Sequence, residues 1–243
     1  MMKQNHRRKG TGMKLIYGTT NPAKLNLMRE FLSGTGLEII GLSELPEVPE
    51  EPGEYGSTPL ENARGKAEYY YQILQRPVFS CDSGLIIEGL SQKEQPGVHV
   101  RRREGRILTD SEMTEYYSGI ADRFGGRCLA RYQNGICFIF SDRERYEYDG
   151  EDISGESFWL VSQAKPQKEK GFPLDCISVD RKTGRYFVDG DHDMEFWNEE
   201  NGFRRFWKRV MEAHAALEAD QACQKEEAET ERIADGHDEK TLL

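Results

Sequence analysis

Cys81-Asp82-Ser83-Gly84 stands between the apolar runs Val78-Phe79 and Leu85-Ile86-Ile87. An aspartate followed by Ser-Gly reads as a tight turn between two strand-like segments, and a carboxylate held there could serve as a base or a metal ligand. Plain turn formation explains the same residues equally well. Two further features precede it at domain-scale spacing. Gly18-Thr19-Thr20-Asn21-Pro22-Ala23-Lys24 reads as a short turn feeding a helix, whose free N–H groups and positive dipole end attract an anion. Phosphate is the natural guest: the Thr19 and Thr20 hydroxyls can donate to its oxygens, and Lys24 can reach back over it from the first turn. An ordinary capped helix with an exposed lysine is the alternative. The third feature, Thr58-Pro59-Leu60-Glu61-Asn62-Ala63-Arg64-Gly65-Lys66-Ala67, opens with a capping box, which accounts for Glu61 without any ligand. The three segments together point to a nucleotide site.

A chain of 243 residues is long enough to bury a sizeable core as one folding unit. With 37% hydrophobic and 31% charged residues and a net charge of -10, it has the balance of a soluble cytoplasmic protein. That balance argues against a membrane protein and against stable nucleic-acid binding, which needs an excess of cations. An acidic protein that handles polyphosphate must do so with a few local cations and a metal. No run of about 18 apolar residues is present, and Met1 to Gly12 is basic and polar without an apolar stretch behind it. The five cysteines are widely spaced with no Cys-x-x-Cys pair, so they read as free thiols. Cys81, inside a strand-like run and without a histidine near it in sequence, reads as a small buried hydrophobe.

The elements that must position these groups follow from periodicity and punctuation. Lys14 to Tyr17 reads as a first strand, and Asn21 with Pro22 opens a helix carrying Leu25, Met28, Phe31 and Leu32 on one face. Gly34 and Gly36 stop it, Leu37 to Ile40 forms a second strand, and Glu44 to Gly56 is an acidic, Pro-rich loop that could act as a lid. A helix begins at Thr58, strand-turn-strand covers Val78 to Ile87, and Thr109 with Glu112 caps another helix. Cys128 to Tyr132 and Ile136 to Phe140 flank Gln133-Asn134-Gly135 and read as a hairpin. A further strand lies within Arg145 to Leu160, and a last helix spans Gly202 to Leu217. The organisation expected is a leader over residues 1–12, a domain over 13–217 and an acidic tail over 218–243, the tail being either disordered or an extension of the last helix. Arg101, Arg102, Arg103 and Arg106 form a basic cluster after Pro96-Gly97-Val98-His99. It reads either as a solvated loop or as a clamp for phosphate or a partner subunit.

In order and spacing, Thr-x-Asn-x-x-Lys, Glu-Asn-Ala-x-x-Lys-Ala, Asp-Ser-Gly-Leu and Pro-Gly-Val-x-x-x-Arg together resemble the inosine triphosphate pyrophosphatase family, also called Ham1-like. The resemblance covers about Met13 to Gly105. It implies an α/β fold, an elongated mixed sheet with flanking helices and a central cleft, assembled as a homodimer. It further implies Mg²⁺-dependent hydrolysis of ITP, dITP and XTP to the monophosphate and pyrophosphate. Carried over by residue, Thr19, Thr20, Asn21 and Lys24 would hold the triphosphate and Glu61 would help bind Mg²⁺. Asp82 would be base or metal ligand, Ser83 would touch substrate, and Arg102 would clamp it.

The chain departs from the family pattern elsewhere. Cys81 stands where the pattern has an acid before Asp-Ser-Gly, and Leu27 replaces an acid three residues after the loop lysine. The base-recognition segment, Phe-Gly-Tyr-Asp in the pattern, is Phe172-Pro173-Leu174-Asp175. The Ser-His-Arg segment has no match, its nearest candidates being Arg204 and Arg205 after Phe203. Phe172 can still stack on a base, but Pro173 offers no N–H and Leu174 no hydroxyl, so the preference for inosine over adenosine or guanosine triphosphates should be weaker than the resemblance implies or should have moved to another modified base. A catalytically weak nucleotide-binding or interaction protein of the same fold is the alternative.

Overall fold

The protein is described by a computed structural model over residues 13–103, 105–167, 170–190 and 201–238, with side chains as far as residue 228. The expected leader and the last residues of the tail lie outside the described residues. The described chain falls into two compact units, one ending at Phe203 and the other beginning at Arg204.

Strand β1 (Met13–Tyr17) runs into helix α1 (Pro22–Phe31), and β2 (Leu37–Gly41) follows after Gly34 and Gly36, both in the left-handed region that glycine tolerates. Asn21 caps α1 as expected, its Oδ1 accepting from the N–H groups of Ala23 and Lys24. After the largely irregular acidic loop comes α2 (Pro59–Leu74), opened by the Thr58 and Glu61 capping box. Next are β3 (Val78–Ile87), the short pair β4 (Arg102–Arg103) and β5 (Arg106–Ile107), and α3 (Asp110–Arg123) with its own box at Thr109 and Glu112. The unit continues with β6 (Arg127–Ser141), β7 (Glu144–Tyr148), β8 (Phe158–Val161) and β9 (Ser178–Val179). Helix α4 (Gly202–Asp238) begins at its end and runs on through the segment read as tail, where residues 215–228 are exposed on every side.

A mixed sheet in the order β2-β1-β3-β6-β8-β9, with β7 also paired to β6, forms the centre, so the expected α/β class with a mixed sheet and flanking helices is what the chain adopts. Strand β1 is parallel to β2 and β3, and the remaining pairs are antiparallel. Small or slender side chains on α2 (Ala63, Ala67) and on β6 (Cys137, Ile139) let the helix lie close to the sheet. Around α3, Met113, Tyr117 and Ile120 pack with Leu85 and Leu160. Each fully buried side chain of this kind stabilises by about 1.5–3 kcal/mol.

Two expectations fail, for one reason. Asp82 is not in a turn: β3 continues unbroken through it, opposite Gly135. Nor do residues 133–135 turn a hairpin, because β6 runs straight through them as part of a 15-residue strand. A two-residue Asn-Gly turn needs positive φ, and neither Asn134 nor Gly135 has it. What Gly135 provides is clearance: a Cβ there would lie 2.4 Å from the Leu60 nitrogen at the start of α2. The two apparent turns are one antiparallel ladder, Val78↔Ile139 to Ile87↔Ala130. Gly135→Ala should therefore push the first turn of α2 off the sheet and cost about 1–3 kcal/mol; a urea-unfolding midpoint equal to wild type would show that this contact has slack.

Candidate active site

Strand β1 pairs with only the first two residues of β3, Val78 and Phe79. From Ser80 to Gly84, before Leu85 bridges to Gly97, that edge of β3 has no strand partner among the described residues, and the gap lies at the C-terminal ends of two parallel strands, a place where α/β folds commonly hold ligands. Tyr17 and Phe79 stack across the last pair with ring centroids 4.5 Å apart. The turn leaving β1 is held close to β3, since the Ser80 hydroxyl donates to the Gly18 carbonyl at 3.2 Å and a Cβ on Gly18 would meet that same oxygen. This brings the start of α1 to the open edge.

There the Lys24 Nζ lies 3.8 Å from Asp82 Oδ1, and the Lys66 Nζ, from α2, lies 3.6 Å from the same oxygen. Asp82 is only 6% exposed, so its charge is held by these two ammonium groups rather than by water. Lys66 also forms a direct ion pair and hydrogen bond with Glu54 of the acidic loop. Arg102 lies 3.6 Å from Glu54 Oε2 and donates to the Glu54 carbonyl at 3.4 Å. Burial by itself would lower the Lys66 pKa, but Asp82 and Glu54 outweigh it and hold the ammonium above its ordinary value. Burial would raise Glu54; its bond to Lys66 and the charges of Lys66, Arg102 and Lys24 prevail and lower it. Beside this cluster, the Thr20 hydroxyl donates to Glu51 Oε2 at 3.3 Å, and the Thr19 hydroxyl accepts from the Asn21 N–H.

Strand alternation sends Cys81 and Ser83 to the face opposite Asp82, where both line a cavity of about 90 Å³. Lys24 lines it too, and so touches both the carboxylate and the cavity. Its walls include Phe31, Phe172 and Phe203, the first and last stacked at 5.4 Å. Phe172 is delivered by Gly171, whose φ of +95° suits glycine and whose carbonyl accepts from Asn21 Nδ2 at 3.1 Å. The helix cap thus ties the anion loop to the distant segment 171–175. Burial pushes the Cys81 thiol up to about 12, with Lys24 opposing and Asp82 adding, so it stays protonated at neutral pH and is no nucleophile.

The remaining expected residues have other surroundings. Glu61 Oε2 accepts from the Ser57 N–H, the Ser57 hydroxyl and the Thr58 N–H, completing the capping box of α2. Asp175 is buried in a short 3₁₀ turn near Tyr132, whose phenol is raised by burial and then by the Asp175 charge. Arg204 and Arg205 fall in the first turn of α4, within the second unit. Of the four-arginine cluster, Arg102 alone reaches Glu54; Arg101 pairs with Asp110, Arg106 with Glu112, and Arg103 lies over the Tyr116 ring. Sequence reasoning gave no role to Lys66, although it stood in a quoted motif, and none to Glu54, which spacing cannot single out among several loop glutamates. Among the described residues no group of three or more His, Cys, Asp or Glu is placed to hold a metal.

A mixed sheet whose open edge gathers the start of α1 and a lysine-flanked carboxylate defines an α/β protein with a charged site at that edge. The Ham1 family profile matches residues 15–187, and the chain belongs to that family. It is 43% identical over 178 residues to a dITP/XTP pyrophosphatase of Rhodopseudomonas palustris, covering 72% of this chain and 80% of that protein. With a dITP/XTP pyrophosphatase of Thermus thermophilus the identity is 30% over 182 residues, covering 73% and 81%. A HAM1 protein from Coxiella burnetii shares the fold, with a TM-score of 0.59 at 22% identity over 86% of this chain and 99% of that one.

The Glu54 pairing has a pH signature. Its folded-state pKa is lowered, so its contribution to stability is present above the unfolded value of about 4.3 and is lost as pH falls through the folded value. The melting temperature of wild type should exceed that of Glu54→Gln near neutrality, and the gap should close as pH falls below about 4.3. A gap that stays constant as pH falls would count against the pairing.

Proposed function

We propose that this protein hydrolyses non-standard purine nucleoside triphosphates such as ITP, dITP and XTP to the monophosphate and pyrophosphate, with Mg²⁺. The observation that carries the reading is the Asp82 carboxylate held between Lys24 and Lys66, with Lys24 also lining an aromatic-walled cavity, in a chain whose relatives are named dITP/XTP pyrophosphatases. The donor set suits Mg²⁺, which takes one or two carboxylates and leaves its other positions to water and phosphate oxygens. Asp82 and Glu54, both paired to Lys66, would hold it. Glu61 is the poorer choice, since one of its oxygens already accepts three donors in the cap. When bound, the ion offsets charge on the triphosphate.

The chain's own groups divide the remaining work. The Thr19 and Thr20 hydroxyls bind phosphate oxygens at the positive end of the α1 dipole, with Asn21 capping the first N–H groups of the helix and holding the turn in shape. Lys24 and Lys66 attract the triphosphate and counter the charge that builds on the leaving pyrophosphate. Asp82 orients a water and accepts its proton as the oxygen bonds to the α-phosphorus and the α–β bridge breaks. Phe172 offers a face to the base and Ser83 a hydroxyl at the cavity wall, while Arg102 steadies Glu54. The family likeness also motivates a cytoplasmic homodimer, which sedimentation of the purified protein would test. Among the described residues no helix is long and apolar enough to cross a membrane.

Pyrophosphate release from ITP, XTP, dITP, GTP and ATP, with and without Mg²⁺, tests the reading. Asp82→Asn should lower kcat on the order of 10²-fold or more; unchanged turnover in the folded variant would sink the assignment. Glu54→Gln should raise the Mg²⁺ concentration needed for half-maximal rate, whereas Glu61→Gln should leave that titration in place. The opposite pattern would return the metal to Glu61.

A further inference from the structure

A pocket that tells one purine from another needs fixed polar groups, because aromatic walls accept any base. The segment after Gly171 has few to offer. The Gly171 carbonyl accepts from Asn21, that of Phe172 from the Asp175 N–H at 3.2 Å, and that of Pro173 from Thr114 Oγ1 at 3.1 Å. The Leu174 carbonyl accepts from Ser178 Oγ at 2.9 Å, and its side chain is buried in the core. Pro173 has no N–H at all.

The cavity wall holds a neutral carboxamide on a different element, Asn134 of β6, opposite Ser83 in the ladder. Asn134 Nδ2 donates to the Ile153 carbonyl at 2.7 Å, and Oδ1 accepts from Ser83 Oγ at 2.7 Å. The Ile153 carbonyl can only accept, so turning the amide over would set oxygen against oxygen. The group is locked in one orientation. An amide carries two N–H bonds and two lone pairs, and among the described residues these contacts use one of each. One donor and one acceptor remain, in a fixed plane and a fixed order.

We propose that Asn134 is the specificity-determining residue of this cavity, distinguishing 6-oxopurines from 6-aminopurines through its locked carboxamide. A 6-oxopurine edge accepts at O6 and donates at N1, while a 6-aminopurine edge donates at N6 and accepts at N1. A freely turning amide could match either edge. A locked one matches a single edge for a given seating of the base and leaves the other with unpaired groups. Selectivity has thus moved from the loop after Gly171 to the middle of the central sheet, held there by Ser83 and Ile153.

This inference rests on the proposed nucleotide site, and binding separates the two. In wild type, inosine monophosphate should bind more tightly than adenosine monophosphate by calorimetry, and kcat/KM should favour ITP over ATP. In Asn134→Ser both ratios should fall about 10- to 100-fold, the loss expected for one buried discriminating hydrogen bond. Ser83→Ala frees one side of the lock, leaves the Ile153 contact in place, and should lower the same ratios if Asn134→Ser does not fold. Ratios unchanged in the folded variants, or no monophosphate preference in wild type, would overturn the assignment. A wild-type protein that prefers inosine monophosphate, loses the preference on substitution, yet releases no pyrophosphate would refute the activity and leave base selection standing.

Discussion

A nearly buried carboxylate between two ammonium groups is the constraint around which the rest is arranged. Asp82, Lys24 and Lys66 come from three different elements, and removing either lysine would leave charge poorly solvated inside the protein. The arrangement demands that α1 begin at the open edge of β3, that α2 lie close on the sheet, and that the acidic loop fold back with Glu54. Ser80, Gly18 and Gly135 are the small residues that let these segments approach. Glu54 pairs with Lys66 and Glu51 adds its charge, so the cluster is balanced by groups of both signs.

Strand alternation then separates two tasks. On one face of β3, Asp82 meets Lys66; on the other, Cys81 and Ser83 line the cavity, and Lys24 reaches both. The replacement of an acid by Cys81 beside Asp82 removes a like charge from the neighbourhood of the carboxylate while keeping the strand packed, and the protonated thiol adds no competing nucleophile. After Gly171 the carbonyls of Phe172, Pro173 and Leu174 likewise accept hydrogen bonds within the protein, and Leu174 fills the core.

Much of this was legible beforehand, and the divide follows the range of the interactions. Asn21, Thr58 with Glu61, and Thr109 with Glu112 announce helix starts because a cap is satisfied within three residues of itself, so its partners are visible in the sequence. The same locality explains why the cap contact of Glu61 is visible in the sequence, and why the order of the motifs sufficed to indicate the family. Asp82-Ser83-Gly84 and Gln133-Asn134-Gly135, by contrast, carry local turn signals that the tertiary structure overrules. Each segment supplies the other with a ladder partner some fifty residues away in the chain, and the pairing energy summed over ten positions outweighs a local preference for turning. Glu54 joins Lys66, and Asn134 is locked by Ser83 and Ile153, through contacts that exist only once the sheet has formed. The sequence by itself determined the helix starts, the anion loop and the chemical types at the site. The tertiary structure alone decided which carboxylates share a lysine and which amide faces the cavity, because those choices depend on distances that long-range strand pairing sets.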